Sequence, residues 1–164
     1  MAEFTVRTLG CADAADYREI RLAALKGTPQ AFGSTWEAEA ERPLSHFAER
    51  LATSVVLAAY GRAGVIGMAG YKQHGGARDR HKAFVWGTYV RPDMRRHGVA
   101  LRLMQELIVS AAGCVEQLTL MVVEGNVEAQ ALYRRCGFEV YGVEPRALKG
   151  PAGYADEILM VRFL

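Results

Sequence analysis

The sequence predicts a single domain, residues 1–164, of the mixed α+β class, with helices flanking a central sheet. Two observations carry this. First, 51% of the 164 residues are hydrophobic and 23% are charged, a globular composition at the length of one ordinary domain. Second, short β-rich runs alternate with segments of helical period in the order β-α-α-β-β-β-α-β-α-β-β, with no linker, repeat or low-complexity stretch between them.

Phe4 to Leu9 alternates apolar and polar residues and reads as a strand. Asp13 to Lys26 is a helix carrying Tyr17, Ile20, Leu22, Ala24 and Leu25 near helical spacing, stopped by Gly27. Thr28 to Pro43 is irregular, with Phe32, Gly33 and Trp36 followed by Glu37, Glu39 and Glu41. Pro43 opens a second helix that runs to about Leu51, since proline suits a first helical turn. Ser54–Tyr60 and Val65–Gln73 are strands joined by the turn Gly61-Arg62-Ala63-Gly64. After a polar loop, Lys82–Val90 is a further strand, ended by Pro92. His97 to Ala112 is a helix with Leu101, Met104, Leu107, Ile108 and Ala111 on its core side. Glu116–Val123 is a buried strand. Asn126 to Cys136 is a short helix, capped by Asn126 and closed by Gly137, whose core face is expected from Val127, Ala131 and Leu132. Phe138–Gly142 and Tyr154–Leu164 are strands joined by a Pro/Gly loop at 145–153.

The net charge of +2 removes the broad electrostatic case for a nucleic-acid or membrane partner. Three cysteines (11, 114, 136) lack a C-x-x-C spacing, and four histidines (46, 74, 81, 97) lack an i, i+4 pair, so neither a disulfide framework nor a metal site is expected. The opening MAEFTVRTLG has neither the basic nor the apolar region of a signal peptide, and the longest apolar run is Val55–Tyr60. A cytoplasmic protein is expected. The glycine and serine motifs of P-loop NTPases, dinucleotide-binding folds and α/β-hydrolases are absent.

The informative stretch is Tyr89-Val90-Arg91-Pro92-Asp93-Met94-Arg95-Arg96-His97-Gly98-Val99-Ala100. A strand ends, a basic loop follows, and a helix opens at a glycine. A helix N-terminus leaves backbone N–H groups unpaired and carries roughly half a positive charge. Gly98 has no Cβ to keep a ligand away, and Arg95 and Arg96 add cationic donors. Together these features suit a pyrophosphate. The segment Arg95-x-x-Gly98-x-Ala100 resembles the acetyl-CoA signature [RQ]-x-x-G-x-[GA] of the GNAT superfamily of N-acetyltransferases. Asn126-x-x-Ala129-x-x-Leu132-Tyr133-x-x-x-Gly137-Phe138 resembles that family's later motif, in the expected order, and the resemblance covers nearly the whole chain.

The resemblance implies a mixed, mostly antiparallel sheet and acetyl transfer from acetyl-CoA to a primary amine by direct attack. It implies that the strands Lys82–Val90 and Glu116–Val123 splay apart, with the pantetheine arm in the gap near Tyr89 and Val90. The backbone of Arg96, His97, Gly98, Val99 and Ala100 would hold the pyrophosphate. Asn126, Ala129, Gln130 and Tyr133 share one helical face, and Asn126 and Tyr133 are about 10 Å apart along the axis. Asn126 is either a plain cap, a cofactor contact, or both. By resemblance, Tyr133 protonates the departing thiolate, and an unperturbed phenol holds its proton at neutral pH.

Many members of the family place a glutamate base on the strand before the signature. Here that strand, Phe84-Val85-Trp86-Gly87-Thr88-Tyr89-Val90, has no acid. Glu37 and Glu157 stand first as replacements, with Glu39, Glu41, Asp156, His81 or a water chain as alternatives. A covalent cysteine route is disfavoured: Cys136 ends a helix, where the dipole opposes a thiolate, and Cys114 has no histidine beside it. The acceptor pocket is expected from the N-terminal half, where Pro29–Trp36 forms a wall or lid and Glu37–Glu41 suits a cationic amine. The readings carried forward are a small-molecule or amino-acid N-acetyltransferase, a transferase acting on protein N-termini or lysines, and a non-catalytic CoA-binding sensor. Arg91, Arg95, Arg96 and Arg102 as a nucleic-acid patch form a further alternative. The apolar last strand allows a homodimer.

Overall fold

In the computed structural model, which describes residues 3–164, seven strands join one sheet. They are β1 (Thr5–Thr8), β2 (Val55–Gly61), β3 (Gly64–Gln73), β4 (Lys82–Val90), β5 (Gln117–Val123), β6 (Glu139–Gly150) and β7 (Gly153–Phe163), in the spatial order β1-β2-β3-β4-β5-β7-β6. Every neighbouring pair is antiparallel except β4 and β5. The mixed, mostly antiparallel sheet is therefore present. The start of the opening segment, Met1 and Ala2, lies outside the described residues.

Five helices cover the two faces: α1 (Ala14–Gly27), α2 (Trp36–Ala40), α3 (Leu44–Thr53), α4 (Val99–Ala112) and α5 (Val127–Arg135). A parallel pair needs a crossover, and α4 supplies it between β4 and β5. Its buried stripe is Val99, Leu103, Met104, Leu107, Ile108 and Ala111, packed against Leu57, Ala59, Ala69 and Val85. Burying each large apolar side chain contributes about 1.5–3 kcal/mol. Leu103 takes the central place expected of Leu101, which is only partly buried and faces the cleft described below. On the other face Tyr17, Ile20 and Ala24 of α1 and Phe47 and Leu51 of α3 pack on Val56, Ala58 and Met68. No helix of the described residues is long and apolar enough to cross a membrane.

Three expectations need correction. The 145–153 loop is absent: β6 continues to Gly150 through a bulge between Glu144 and Leu148, with Arg146 at φ 54°, and turns at Pro151 and Ala152 into β7. A long ribbon can carry a proline there because β6 is the sheet edge, where no neighbour needs its N–H. The core face of α5 is not Val127, Ala131 and Leu132. Val127 and Ala131 are exposed, Leu132 is only half-buried, and Gln130 and Tyr133 are the buried residues. Finally, the irregular 28–43 stretch contains α2, capped by Thr35, whose Oγ1 accepts the Ala38 N–H at 3.2 Å. Five residues are too few to show a helical period.

Glu39 on α2 explains why that short helix holds its place. It is 4% exposed, and its carboxylate accepts two hydrogen bonds from Arg21 of α1, at 2.9 and 3.1 Å, and one from Arg50 of α3 at 3.4 Å. Burial alone would push its pKa up, but the Arg21 hydrogen bonds and the two guanidinium charges outweigh it and hold the group at about 2. An acid whose folded pKa is depressed stabilises the fold above its ordinary pKa, and that contribution is lost as pH falls toward the folded value. Glu39→Gln leaves two cations around a neutral amide, and we expect it to cost about 3–5 kcal/mol in urea unfolding at neutral pH. The gap to wild type should narrow on acidification from about pH 4 toward pH 2. A loss below about 1 kcal/mol would contradict this role.

Candidate active-site cleft

The lone parallel pair is also the shortest. β4 and β5 are paired only at Lys82–Gln117, Ala83–Leu118 and Phe84–Thr119. On their outer sides β4 stays paired with β3 as far as Val90, and β5 with β7 as far as Val123. From Val85 and Leu120 onward the inner edges diverge, so the splay is present.

A bulge accompanies the divergence. Gly70 pairs with Trp86 and Met68 with Tyr89, so Gly87 and Thr88 together oppose Ala69. Gly87 stands at φ 71°, a left-handed conformation that a side chain opposes. The extra residue flips the parity of the strand: Trp86 and Tyr89 face the α1/α3 core, while Val85 and Val90 face α4. Thr88 then reaches Met104 of α4 and stands beside the Tyr133 hydroxyl. Strict alternation read from the sequence misses Thr88; a glycine inside a strand pattern is the signal that marks such a bulge.

At the open end of β4, Gly98 caps α4 at φ 81°, and a Cβ added there would meet no atom within 4 Å. The position faces open space. The first intrahelical bond runs from the Arg102 N–H to the Gly98 carbonyl at 3.0 Å, so the preceding amides stand outside the helix ladder. Arg96 sits at φ 63° in the same turn. Arg95 donates from Nε to the Val90 carbonyl at 3.2 Å and lies over the Tyr89 ring. That bond occupies one of the backbone acceptors expected to meet pantetheine. Arg91 and Arg102 are committed to ion pairs with Glu19 and Glu106.

One cleft of about 1710 Å³ joins these features. Tyr89, Val90, Arg95, Arg96, Gly98, Val99, Ala100, Asn126, Ala129 and Tyr133 all border it. His97 does not; its ring Nδ1 lies 2.8 Å from the Arg95 carbonyl. Asn126 acts as the cap, its Oδ1 accepting the Ala129 N–H at 3.2 Å, and it also borders the cleft. Tyr133 is 8% exposed and packs edge-on against Phe138. Burial pushes its pKa up, opposed by the Thr88 hydroxyl, so the phenol keeps its proton at neutral pH.

The proposed bases separate clearly. Glu157 borders the cleft from the middle of β7, where it pairs in register with Val123, the last residue of β5, and with Glu144. Burial raises its pKa, and the like charge of Glu144 raises it further. Glu37 is exposed and lies outside the cleft, as does Glu41. Glu39 borders it but is locked to Arg21. Asp156 accepts the Arg146 N–H at 2.7 Å, and His81 lines a separate hollow with Gln73 and Arg80. Of the aromatic pair in 29–36, Phe32 borders the cleft and Trp36 does not. Leu148, from the stretch expected to be a loop, also borders it and approaches Gly33.

The family model described as "Acetyltransferase (GNAT) family" matches residues 19–138, and the chain belongs to that family. The fold agrees. A GNAT-family acetyltransferase from Streptococcus pneumoniae superposes with a TM-score of 0.85 at 20% identity, covering 99% of this chain and 100% of that one. The ribosomal-protein-alanine N-acetyltransferase of Brucella melitensis gives 0.84 at 24% identity, with 98% and 99% covered. The yncA protein of Salmonella typhimurium, solved with its cofactor acetyl-CoA, gives 0.85 at 22% identity, with 99% and 95% covered. No curated protein sequence matches the chain.

The Glu157 environment gives a direct test. Glu144→Gln removes the neighbouring negative charge, so the Glu157 pKa should fall toward the ordinary glutamate range in carbon NMR titration of its carboxyl. An unchanged pKa would mean that the two carboxylates do not interact.

Proposed function

We propose that the protein is an acetyl-CoA-dependent N-acetyltransferase acting on the primary amine of a small molecule or amino acid. The observation that carries this reading is the single cleft, which runs from the Gly98 turn past Tyr133 to Glu157 and the α1–α3 region. It exceeds the roughly 300–1,000 Å³ that suits one drug-sized ligand and has room for two substrates.

The residues fit the donor. The free amides of the Arg96–Ala100 turn, with the Arg95 and Arg96 guanidiniums, would hold a pyrophosphate, and the bare Gly98 leaves it room. The inner edges of β4 and β5 beyond Phe84 and Thr119 lack each other as partners, and would accept the amide groups of a pantetheine arm. When bound, acetyl-CoA supplies an acetyl thioester. An alkylammonium must shed a proton before its nitrogen can form the new C–N bond. Glu157 takes that proton: its raised pKa makes it a stronger base than an ordinary carboxylate while leaving it ionised when the pH exceeds that value. Tyr133 gives its proton to the sulfur as the C–S bond breaks, and Thr88 fixes the phenol. The Glu157 proton leaves to solvent, and the second proton that the nitrogen sheds as the amide forms restores the Tyr133 phenol.

Two variants separate chemistry from binding. With an amine that turns over, Tyr133→Phe should lower kcat by about 10²–10⁴-fold with little change in the KM for acetyl-CoA. Gly98→Glu should abolish CoA binding in calorimetry while the fold persists. Tight CoA binding without turnover on any amine would replace the enzyme by a sensor. Unchanged affinity in Gly98→Glu would remove the cradle.

A further inference from the structure

The α1–α3 end of the cleft carries more positive charge than its own acids neutralise. Arg21, Arg50 and Glu39 meet there, and all three border the cleft. Arg21 spends its Nε and Nη2 on the two oxygens of Glu39 at 3.1 and 2.9 Å, which closes that pair. Arg50 is left with long contacts only: Nη1 to the Tyr17 hydroxyl at 3.3 Å and to Glu39 at 3.4 Å, and Nη2 to His46 Nε2 at 3.4 Å. None reaches the 2.7–2.9 Å typical of a charge-assisted bond. Its side chain is 27% exposed and lies over the Trp86 ring at 5.7 Å, which holds the guanidinium in place. The other charges bordering this end are Lys72, which adds to the surplus, and the exposed Glu49, which makes no ion pair with Arg50. Two guanidiniums thus face one carboxylate already taken by the first.

Resting on the N-acetyltransferase reading above, we infer that the acceptor carries a carboxylate besides its amine, and that Arg50 binds it. The acceptor class is an amino acid. Its amine points along β4 toward Thr88 and the thioester, and its carboxylate completes the Arg50 guanidinium, whose planar fork suits a bidentate carboxylate. Trp86 and Phe32 border the same space and offer apolar surface to a side chain. Glu39 acts here as a positioning residue: it holds Arg21 and stays ionised, so the second guanidinium is the one that remains available.

The test compares acceptors that differ only in the carboxylate. L-phenylalanine and L-leucine are set against phenethylamine and isoamylamine, with wild type, Arg50→Lys and Arg50→Met. Wild type should favour each amino acid in kcat/KM. Arg50→Met should lower the ratio of kcat/KM between amino acid and decarboxylated amine by about tenfold or more, mainly through the KM of the amino acid. Arg50→Lys should restore part of that ratio. A purely structural Arg50 would lower both acceptor classes together and leave the ratio unmoved, which would overturn the inference. Wild type that acetylates the amines without preferring the amino acids overturns it too, needs no variant, and leaves the transferase reading standing. Acetyl transfer to neither class overturns both.

Discussion

The separation of β4 from β5 is the constraint on which the rest depends. A sheet normally pairs every inner strand on both sides. Here three residues of contact at Lys82–Phe84 set the register of the one parallel pair, and the remaining inner edges part. Each strand is held from behind by a full antiparallel partner, so the gap costs no loss of order elsewhere. The Gly87 bulge bends β4 and turns its side chains over, which brings Thr88 to Tyr133 and leaves Trp86 toward α1 and α3. The crossover then delivers the open N-terminus of α4 to the mouth of the same gap. Backbone geometry thus opens the gap, and side chains from both faces of the sheet border it.

Charge is divided along this cleft in a way that the total of +2 conceals. At one end unpaired amides join Arg95 and Arg96, a setting for a polyanion. In the middle stand a phenol that keeps its proton and a carboxylate whose proton affinity is raised, both through burial. At the other end Glu39 is driven the opposite way by Arg21, so the same residue type has opposite properties at 39 and 157. The surface follows the same logic: at 9429 Å² it exceeds the about 8,000 Å² expected of a chain this size, consistent with an open cleft and an exposed β6 edge.

Much of this was legible in the chain because it is local. Gly98 after a basic loop, Asn126 three residues before Ala129, and the turn at Arg62 and Ala63 are short-range backbone chemistry, and the structure has each in place. The missing strand acid was legible too, as an absence between Phe84 and Val90. What sequence reading did not reach is set by tertiary contact. Period-two alternation fails at Gly87 because a bulge adds a residue. Pro145 reads as a loop although an edge strand tolerates it. Glu37 and Glu39 look alike in a polar run, and only the packing of α1 against α2 and α3 buries one and exposes the other. Polar Gln130 is buried in place of apolar Val127 because its amide donates to the Glu124 carbonyl at 2.7 Å.

If the β4–β5 gap and the α4 turn together receive the acetyl donor, as proposed, binding must protect the backbone of both. Amide hydrogen exchange with and without acetyl-CoA tests it most directly. Slowed exchange is expected at the free amides of residues 96–101 and along the inner edge of β4 near Thr88–Val90, with β1 and the β6–β7 ribbon unchanged. Protection that spares both segments, or that falls on the hollow around His81, would contradict it.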